Sequence, residues 1–279
     1  MTKEKLLFFD IDGTLVGFDG IIPDSTWKAL DLARENGHLL FICTGRSRHQ
    51  IHQVLLDYGF DGIVASAGGY VEYKNQVLFH QHFGKERMKS VVDCFKGTGT
   101  GLILEMKEAC VSSASSEEQF LTLFQLAVDT TDLKELVAFS KLINDEDFLS
   151  YPDKYADTDS ILYCNSPFDT EEVRRRLSGD IHVELASFTD PEPYSGEITM
   201  AGITKQTGIQ RVLEFLGKAR EDVIGFGDGA NDIQMLDYAG TAVVMGTAEE
   251  EIRKHADYVT DPVYEDGLYN AMKYLGLIG

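Results

Sequence analysis

The chain begins with an unbroken hydrophobic run, Leu6–Phe9, that ends in two carboxylates, Asp10 and Asp12. A continuous apolar run is typical of a central strand in a parallel sheet, because both of its faces are covered. In an extended chain, residues two positions apart share one side, so these carboxylates lie together. Gly13 then allows a tight turn. The run predicts a buried strand that ends at a polar site, although Asp-x-Asp-Gly also occurs in ordinary turns and calcium loops.

The same arrangement recurs in the first part of the chain. A segment with helical spacing follows the first strand, and a second hydrophobic run, residues 38–43, ends at Thr44. After another helical segment, Gly62–Ala65 has the composition of a third strand. Ligands of such parallel sheets bind beyond the carboxyl ends of the strands. We therefore expect Asp10, Asp12 and Thr44 to lie close together.

The pattern changes in the middle of the chain. Residues 70–79 predict a hairpin, and from Phe83 onward short strands and helices follow without regular alternation. We expect a parallel, Rossmann-like α/β core formed by residues 1–82 and 188–279, and an inserted α+β domain formed by residues 83–187. The elements predicted in the insert are a helix through Met88 and Phe95, strands near 102–106 and 109–113, helices at 117–126 and 133–142, and a strand, helix and strand at 161–164, 170–177 and 181–186.

The core pattern returns in the last third of the chain. Thr204 or a neighbour caps a predicted helix that begins near Lys205. A further hydrophobic run ends in a polar loop that contains Asp228, Asn231 and Asp232. We expect these side chains to join the polar groups at the other strand ends.

Composition and charge narrow the functional classes. The chain has 279 residues, with 25 basic and 46 acidic side chains and a formal net charge of −21. Non-specific binding to nucleic acid or to an anionic membrane needs a basic face, so we expect neither. An anionic substrate would instead require local cations, above all a metal ion.

The cysteines, the length of the hydrophobic runs and the N-terminal residues together predict a cellular location. The four cysteines include no C-x-x-C pair, which favours reduced thiols. No apolar run approaches about 18 residues, so no membrane span is expected. The N-terminus leads directly into the first strand, which predicts no signal peptide and a cytoplasmic protein.

The predicted strand ends carry the groups that phosphoryl transfer requires. The carboxylates of Asp10 and Asp228 suit Mg²⁺, and Lys205 with the metal would hold a phosphoryl group. Thr44 offers a hydroxyl and a backbone N–H to the same oxygens. A carboxylate nucleophile divides hydrolysis into two easier steps, and Asp12 could protonate the leaving oxygen and then activate water.

These segments resemble the four motifs of the haloacid dehalogenase-like (HAD) superfamily. They are Asp10-Ile11-Asp12-Gly13-Thr14, Thr44-Gly45-Arg46, Lys205 and Gly227-Asp228-Gly229-Ala230-Asn231-Asp232. Their order and the large insert resemble the Cof-type phosphatases of this superfamily, whose cap domain is the C2 kind.

The resemblance implies a role for each motif residue. It makes Asp10 the nucleophile and Asp12 the acid/base, and it makes Asp10, Asp228 and the backbone carbonyl of Asp12 the Mg²⁺ ligands. The residues that it implies for phosphate binding are Ile11 (through its backbone), Thr44, Gly45, Lys205 and Asn231. Asp232 is expected to support these groups. One departure is residues 66–69, Ser-Ala-Gly-Gly, where relatives often carry Asn-Gly, so a substrate contact from this loop stays open.

Other motifs have structural interpretations. Residues 225–229 lack the full G-x-G-x-x-G spacing of a dinucleotide loop. The glycine-rich residues 96–101 indicate a flexible connection, and the three arginines at 174–176 a solvated helix face. Arg46 is interpreted as a structural residue or a contact to the insert rather than as a direct phosphate ligand.

The sequence thus predicts a Mg²⁺-dependent phosphatase of small phosphorylated metabolites, with no protein partner. A phosphomutase of the same superfamily is an alternative, although the insert has few basic clusters for a bisphosphate. A non-catalytic phosphate-binding protein is a further alternative, against which the intact motif residues argue. The insert is expected to cover the strand ends as a lid, to hinge near Gly84 and residues 190–193, and to select the substrate.

Overall fold

The computed structural model describes residues 3–127, 142–145, 147–177, 179–185 and 194–279, which form two compact units. The first unit combines Met1–Arg46, Gln53–His80 and Thr204–Gly279, and the second combines Ser47–His52 and Gln81–Ile203. None of the helices in these described ranges is both long enough and apolar enough to cross a membrane.

An eight-stranded sheet runs through the first unit. Its strands, numbered along the whole chain, are β1 (Leu6–Phe9), β2 (Leu39–Cys43), β3 (Gly62–Ala65), β4 (Tyr70–Tyr73), β5 (Gln76–His80), β12 (Val223–Gly227), β13 (Thr241–Val244) and β14 (Tyr258–Val259). Their order in space is β14-β13-β12-β1-β2-β3-β4-β5. The strands from β14 to β3 are parallel, whereas β4 and β5 form an antiparallel edge. The predicted parallel core and the predicted hairpin are both confirmed.

Helices flank this sheet. They are α1 (Asp24–Glu35), α2 (Gln53–Tyr58), α6 (Lys205–Leu216), α7 (Ile233–Tyr238), α8 (Glu250–Arg253) and α9 (Gly267–Tyr274). Helix α6 packs against α7 and against β3, β4 and β5, and α1 packs against α9.

The central position of β1 follows from its hydrophobic residues. All four are fully buried, and β2 and β12 pair with β1 on either side. Phe8 stacks on Phe41 with ring centroids 4.6 Å apart, and Phe9 stacks on Phe226 at 4.8 Å. Burial of side chains of this kind contributes about 1.5–3 kcal/mol each. Because the three strands are parallel, their carboxyl ends lie at the same edge of the sheet.

A six-stranded sheet forms the second unit. Its strands are β6 (Gly101–Glu105), β7 (Cys110–Ser112), β8 (Leu142–Asn144), β9 (Ser160–Ser166), β10 (Ile181–Leu185) and β11 (Tyr194–Met200), and its helices are α3 (Gly84–Phe95), α4 (Ala114–Ala127) and α5 (Thr170–Arg176). The spatial order is β10-β11-β9-β6-β7-β8, and only the pair β7–β8 is parallel.

Alternation along these strands gives the second sheet two different faces. Leu102 and Leu104 of β6 pack with Tyr163 of β9 and with α3 in the larger hydrophobic cluster. On the opposite face, Ile103 lies in a smaller cluster under Phe120 of α4. The second unit therefore has its own hydrophobic core.

The second unit also differs from the sequence predictions. The pattern predicts no strand at β11, and we assigned these residues to the core, whereas β11 pairs with β9 and β10. A Cβ atom added to Gly196 would lie 2.2 Å from the carbonyl oxygen of Glu184, so only glycine fits at this position. Glycine is not typical of strands, and the strand was therefore not recognised in the sequence. The last residue of the helix predicted at 133–142 belongs to strand β8, and its other residues lie outside the described ranges. Residues 190–193, where a hinge was predicted, also lie outside these ranges. The limits 83 and 187 for the insert stay a prediction.

Candidate active site

Two carboxylates meet at the ends of neighbouring strands. Asp10 follows β1 and Asp228 follows β12, and the N–H of Asp10 donates to the carbonyl of Phe226 at 2.9 Å. A Cβ atom added to Gly13 would lie 2.1 Å from Asp228 Oδ2, and the φ of Gly13 is +80°, so this turn requires glycine. Thr14 Oγ1 donates to Asp228 Oδ1 at 3.1 Å. The turn after β1 therefore holds Asp228 beside Asp10.

Lys205 reaches the same point from the first position of α6. The hydroxyl of Thr204 accepts the N–H of the third helical residue at 3.1 Å, which starts the helix here. Gly208 lets the helix approach the sheet, because an added Cβ atom would lie 2.4 Å from Val64 Cγ1. The side chain of Lys205 is buried, and its Nζ donates to Asp10 Oδ1 at 2.6 Å.

Asp232 connects this lysine to the loop after β12. Lys205 Nζ donates to Asp232 Oδ1 at 2.5 Å, and Asp232 Oδ2 accepts the N–H groups of Asp228 at 3.0 Å and Gly229 at 3.1 Å. A Cβ atom added to Gly227 would lie 2.6 Å from the carboxyl carbon of Asp232. Asp232 thus fixes both the ammonium group and the loop that carries Asp228.

Asp12 has a different partner. Arg46 Nε donates to Asp12 Oδ2 and Arg46 Nη2 donates to Asp12 Oδ1, each at 2.8 Å. The side chain of Asp12 is 45% exposed and that of Arg46 is 18% exposed. The pair is a bidentate, charge-assisted contact at the rim of the buried cluster.

The remaining predicted residues surround the strand ends. Thr44 is buried, and its N–H donates to the carbonyl of Val64 at 2.9 Å. The expected offer of the Thr44 N–H to phosphate is therefore wrong, because the sheet already uses this group, while its hydroxyl accepts the N–H of Arg46 at 3.1 Å. Gly45 lies next to Asn231, whose amide nitrogen is 3.7 Å from an added Gly45 Cβ atom.

A family model described as haloacid dehalogenase-like hydrolase matches residues 7–272. The chain belongs to this family. The Bacillus subtilis protein named "Putative phosphatase YkrA" is 31% identical over 280 residues, which cover 98% of each chain. A second B. subtilis relative is named 5-amino-6-(5-phospho-D-ribitylamino)uracil phosphatase YitU. It is 26% identical, and the match covers 98% of this chain and 97% of the relative.

A solved structure supports the same assignment. The HAD subclass IIB sugar phosphatase BT4131 has a TM-score of 0.75 and 28% identity, with 98% of this chain and 100% of that chain covered. The chain is thus a HAD phosphatase of the Cof-type subclass, with the parallel sheet and flanking helices of its solved neighbours.

Burial and charge crowding dominate the electrostatics of the HAD site. Burial raises the pKa of Asp10 well above its ordinary value, and the Asp232 carboxylate adds to this effect, while Lys205 opposes it. Burial and Asp232 likewise raise the pKa of Asp228 to about 7. Burial lowers the pKa of Lys205, but the two carboxylates beside it outweigh burial and raise it. The cluster therefore has an excess of negative charge that one ammonium does not offset.

The donor set of this cluster fits a divalent cation. Asp10, Asp228 and Asp232 offer carboxylate oxygens that all lie within 4.8 Å of one another. Hard oxygen ligands at this spacing are what Mg²⁺ prefers, and a cation would offset both the burial and the neighbouring carboxylate that raise the pKa of Asp10 and Asp228.

The structure thus brings Asp10, Lys205 and Asp228 into one cluster at the strand ends. Sequence reasoning missed three contacts: Arg46 with Asp12, Thr14 with Asp228, and Asp232 with Lys205. A sequence signal existed for Asp232, because its place four residues after Asp228 in a glycine-containing loop favours a turn back to the same point. No sequence signal existed for the bidentate contact of Arg46 with Asp12, since this contact depends on side-chain rotamers.

Proposed function

We propose that this HAD phosphatase is Mg²⁺-dependent and hydrolyses small phosphorylated metabolites, such as sugar phosphates, through an aspartyl-phosphate on Asp10. The observation that carries the proposal is the buried contact of Asp10 with Lys205 beside Asp228, at the ends of adjacent parallel strands. A buried carboxylate with an oriented oxygen and a neighbouring cation is suited to attack an anionic phosphoryl group.

Asp10 would act as the nucleophile. Lys205 donates to one of its oxygens and restricts the rotation of the carboxylate. A carboxylate oxygen of Asp10 forms a bond to phosphorus while the bond from phosphorus to the leaving oxygen breaks, and a proton from Asp12 passes to that oxygen. In the second step water attacks the phosphorus atom, Asp12 takes a proton from the water, and phosphate leaves as the Asp10 carboxylate is restored.

Asp10, Asp228 and the backbone carbonyl of Asp12 would hold Mg²⁺. When bound, the ion would neutralise charge on the phosphoryl oxygens and let the anionic substrate approach Asp10. Asp232 lies within reach of the same point, although its hydrogen bonds to Lys205 and to two backbone N–H groups favour a supporting role.

Phosphate would be held by Thr44, Gly45, Lys205, Asn231 and the backbone of Ile11. Asn231 is exposed at the strand ends and adjoins Gly45, which leaves its amide available to an incoming oxygen. The net charge of −21 makes Lys205 more important, because the chain as a whole repels a phosphate anion.

The substrate class rests on the relatives. BT4131 is named a sugar phosphatase, and YitU is named for a phosphoribitylamino-uracil. Both compounds are small phosphate monoesters, so we propose a substrate of this size. We further propose that the insert, residues 83–187, selects the leaving group, since the core motifs recognise only the phosphoryl group. Exchange of the insert with that of a relative should then change the range of esters hydrolysed and leave the metal requirement unchanged.

A phosphatase assay tests the proposal. p-Nitrophenyl phosphate should be hydrolysed with added Mg²⁺ and not after dialysis against EDTA, with recovery on readdition of the metal. A panel of sugar phosphates, nucleotides and cofactor phosphates would then identify the class, and transfer between two hydroxyls of one hexose phosphate would indicate a mutase. Full activity in excess chelator would overturn the Mg²⁺ assignment.

A further inference from the structure

Arg46 holds both carboxylate oxygens of Asp12. The two N–H···O distances are equal at 2.8 Å, and they join Nε and Nη2 of one planar guanidinium to the two oxygens of one carboxylate. Lysine cannot make this contact, because an ammonium group has no fork of parallel donors. The geometry therefore defines the plane of the Asp12 carboxylate as well as its position.

Arg46 is itself fixed through its backbone. Its N–H donates to Thr44 Oγ1 at 3.1 Å, and its carbonyl accepts the N–H of Ser66 at 2.8 Å. With 18% of its side chain exposed, Arg46 extends from this fixed point to Asp12. The fork is thus built on the end of β2 rather than on a free side chain.

Asp12 needs such a partner more than Asp10 does. Asp10 is buried and is oriented by Lys205, whereas 45% of the Asp12 side chain is exposed. An exposed carboxylate within a turn has several rotamers, and ordering it costs conformational entropy. An acid/base group must lie within hydrogen-bond reach of the leaving oxygen. Each carboxylate oxygen accepts in more than one direction, so the fork leaves each one able to face a substrate.

We propose that Arg46 is a positioning residue that orients Asp12 for proton transfer to the leaving group. This inference rests on the proposed function, because it assumes that Asp12 acts as the acid/base. Arg46 takes part in no bond change: the proton moves from Asp12 to the leaving oxygen in the first step and from water to Asp12 in the second. The fork keeps the carboxyl group of Asp12 aimed at the reacting oxygen in both steps, as the protonated acid in the first and as the carboxylate in the second.

The test separates substrates by their need for an acid. The leaving group of an alkyl phosphate such as glycerol 3-phosphate departs as an alkoxide unless it is protonated. The leaving group of 2,4-dinitrophenyl phosphate needs no proton. Rapid-quench measurement of phosphoenzyme formation isolates the first step. Arg46→Ala should slow this step roughly 10²-fold or more with the alkyl ester, the lower end of the usual effect of acid catalysis, and should hardly change it with the dinitrophenyl ester.

Three comparisons sharpen the test. Arg46→Lys should stay close to Arg46→Ala, because it keeps the charge and loses the fork. In an Asp12→Asn background, Arg46→Ala should cause no further loss with the alkyl ester, since both changes remove one function. Arg34→Ala is the matched control, because that guanidinium donates to the carbonyl of Gly59 near the end of α1 and should leave both rates unchanged.

Other results would overturn the inference. Equal loss with both esters, persisting in the Asp12→Asn background, would show that Arg46 binds the phosphoryl group directly. No loss with either ester would show an exposed ion pair of no catalytic consequence. The failure of the proposed function is distinguishable, because the wild-type enzyme would then form no phosphoenzyme with either ester.

Discussion

Both units of the molecule bury carboxylates, but they surround them differently. At the strand ends of the first unit, Asp10 and Asp232 share the ammonium group of Lys205. In the second unit, Glu105 at the end of β6 accepts hydrogen bonds from the Gln50 amide and the Ser160 hydroxyl, each at 2.7 Å. The first cluster joins two carboxylates and an ammonium group at neighbouring strand ends, where an anion or a metal can bind, whereas Glu105 connects β6 to Gln50 and to β9.

Crowding of carboxylates occurs in both units. Burial together with Glu105 and Glu184 raises the pKa of Glu197 in β11 to about 8, much as burial and Asp232 raise that of Asp228 to about 7. A raised pKa therefore does not by itself identify an active site. In this molecule the difference lies in the buried lysine and in the convergence of several parallel strand ends.

The largest expected effect comes from replacing one buried carboxylate in each unit by its amide and comparing turnover. Asp10→Asn should lower turnover by at least about 10⁴-fold, because an amide cannot replace the nucleophile, and should leave the folded structure intact. Glu105→Gln should leave turnover near the wild-type value and lower the stability of the second unit. Steady-state assays and thermal denaturation measure both. Comparable losses of turnover would remove the distinction between the two environments.

Asp12→Asn should have the next largest effect. Loss of the acid/base group should slow phosphoenzyme formation from alkyl esters and its hydrolysis by roughly 10²–10⁴-fold each. Single-turnover measurements separate the two steps. If neither rate changed, Asp12 would contribute only its backbone carbonyl.

Lys205→Ala should affect stability as well as catalysis. It leaves two buried carboxylates without their cation, which should lower the free energy of unfolding by about 3–5 kcal/mol and weaken phosphate binding. Lys154→Ala is the matched change in the second unit, where the exposed ammonium pairs with Asp145 at 2.9 Å. Denaturant titration should show a far smaller effect there, and equal effects would contradict the assignment of Lys205 as the buried cation of the site.

Asp228→Asn should change how the stability of the metal-free protein depends on pH. The pKa of Asp228 in the folded protein is raised to about 7, so the folded state holds this proton while the unfolded state loses it near pH 4. This contribution to stability is complete below about pH 4 and is lost as the pH rises to about 7. The stability of wild type minus that of Asp228→Asn should fall across this window and then level off. A difference that is constant with pH would contradict the raised pKa.

The sequence predicted the core better than the second unit, for physical reasons. Hydrophobic runs such as Leu6–Phe9 that end in polar groups are typical of buried parallel strands, and their ends were correctly expected to converge. Strand β11 contains Gly196 and Glu197, so neither its pattern nor its propensity signals a strand. Lys205 was expected at the strand ends because it begins a helix of the core. The Arg46 fork and the use of the Thr44 N–H by the sheet depend on rotamers and on strand register, which no local pattern specifies.

The measurement that tests the central claim most directly is the site of phosphorylation. The enzyme would be mixed with a substrate ester and Mg²⁺, quenched in acid within milliseconds, digested at low pH and analysed by mass spectrometry. Our account predicts a phosphate on Asp10 that is absent from Asp10→Asn and from samples treated with EDTA. A phosphate on another residue, or full turnover with no phosphoenzyme at Asp10, would contradict it.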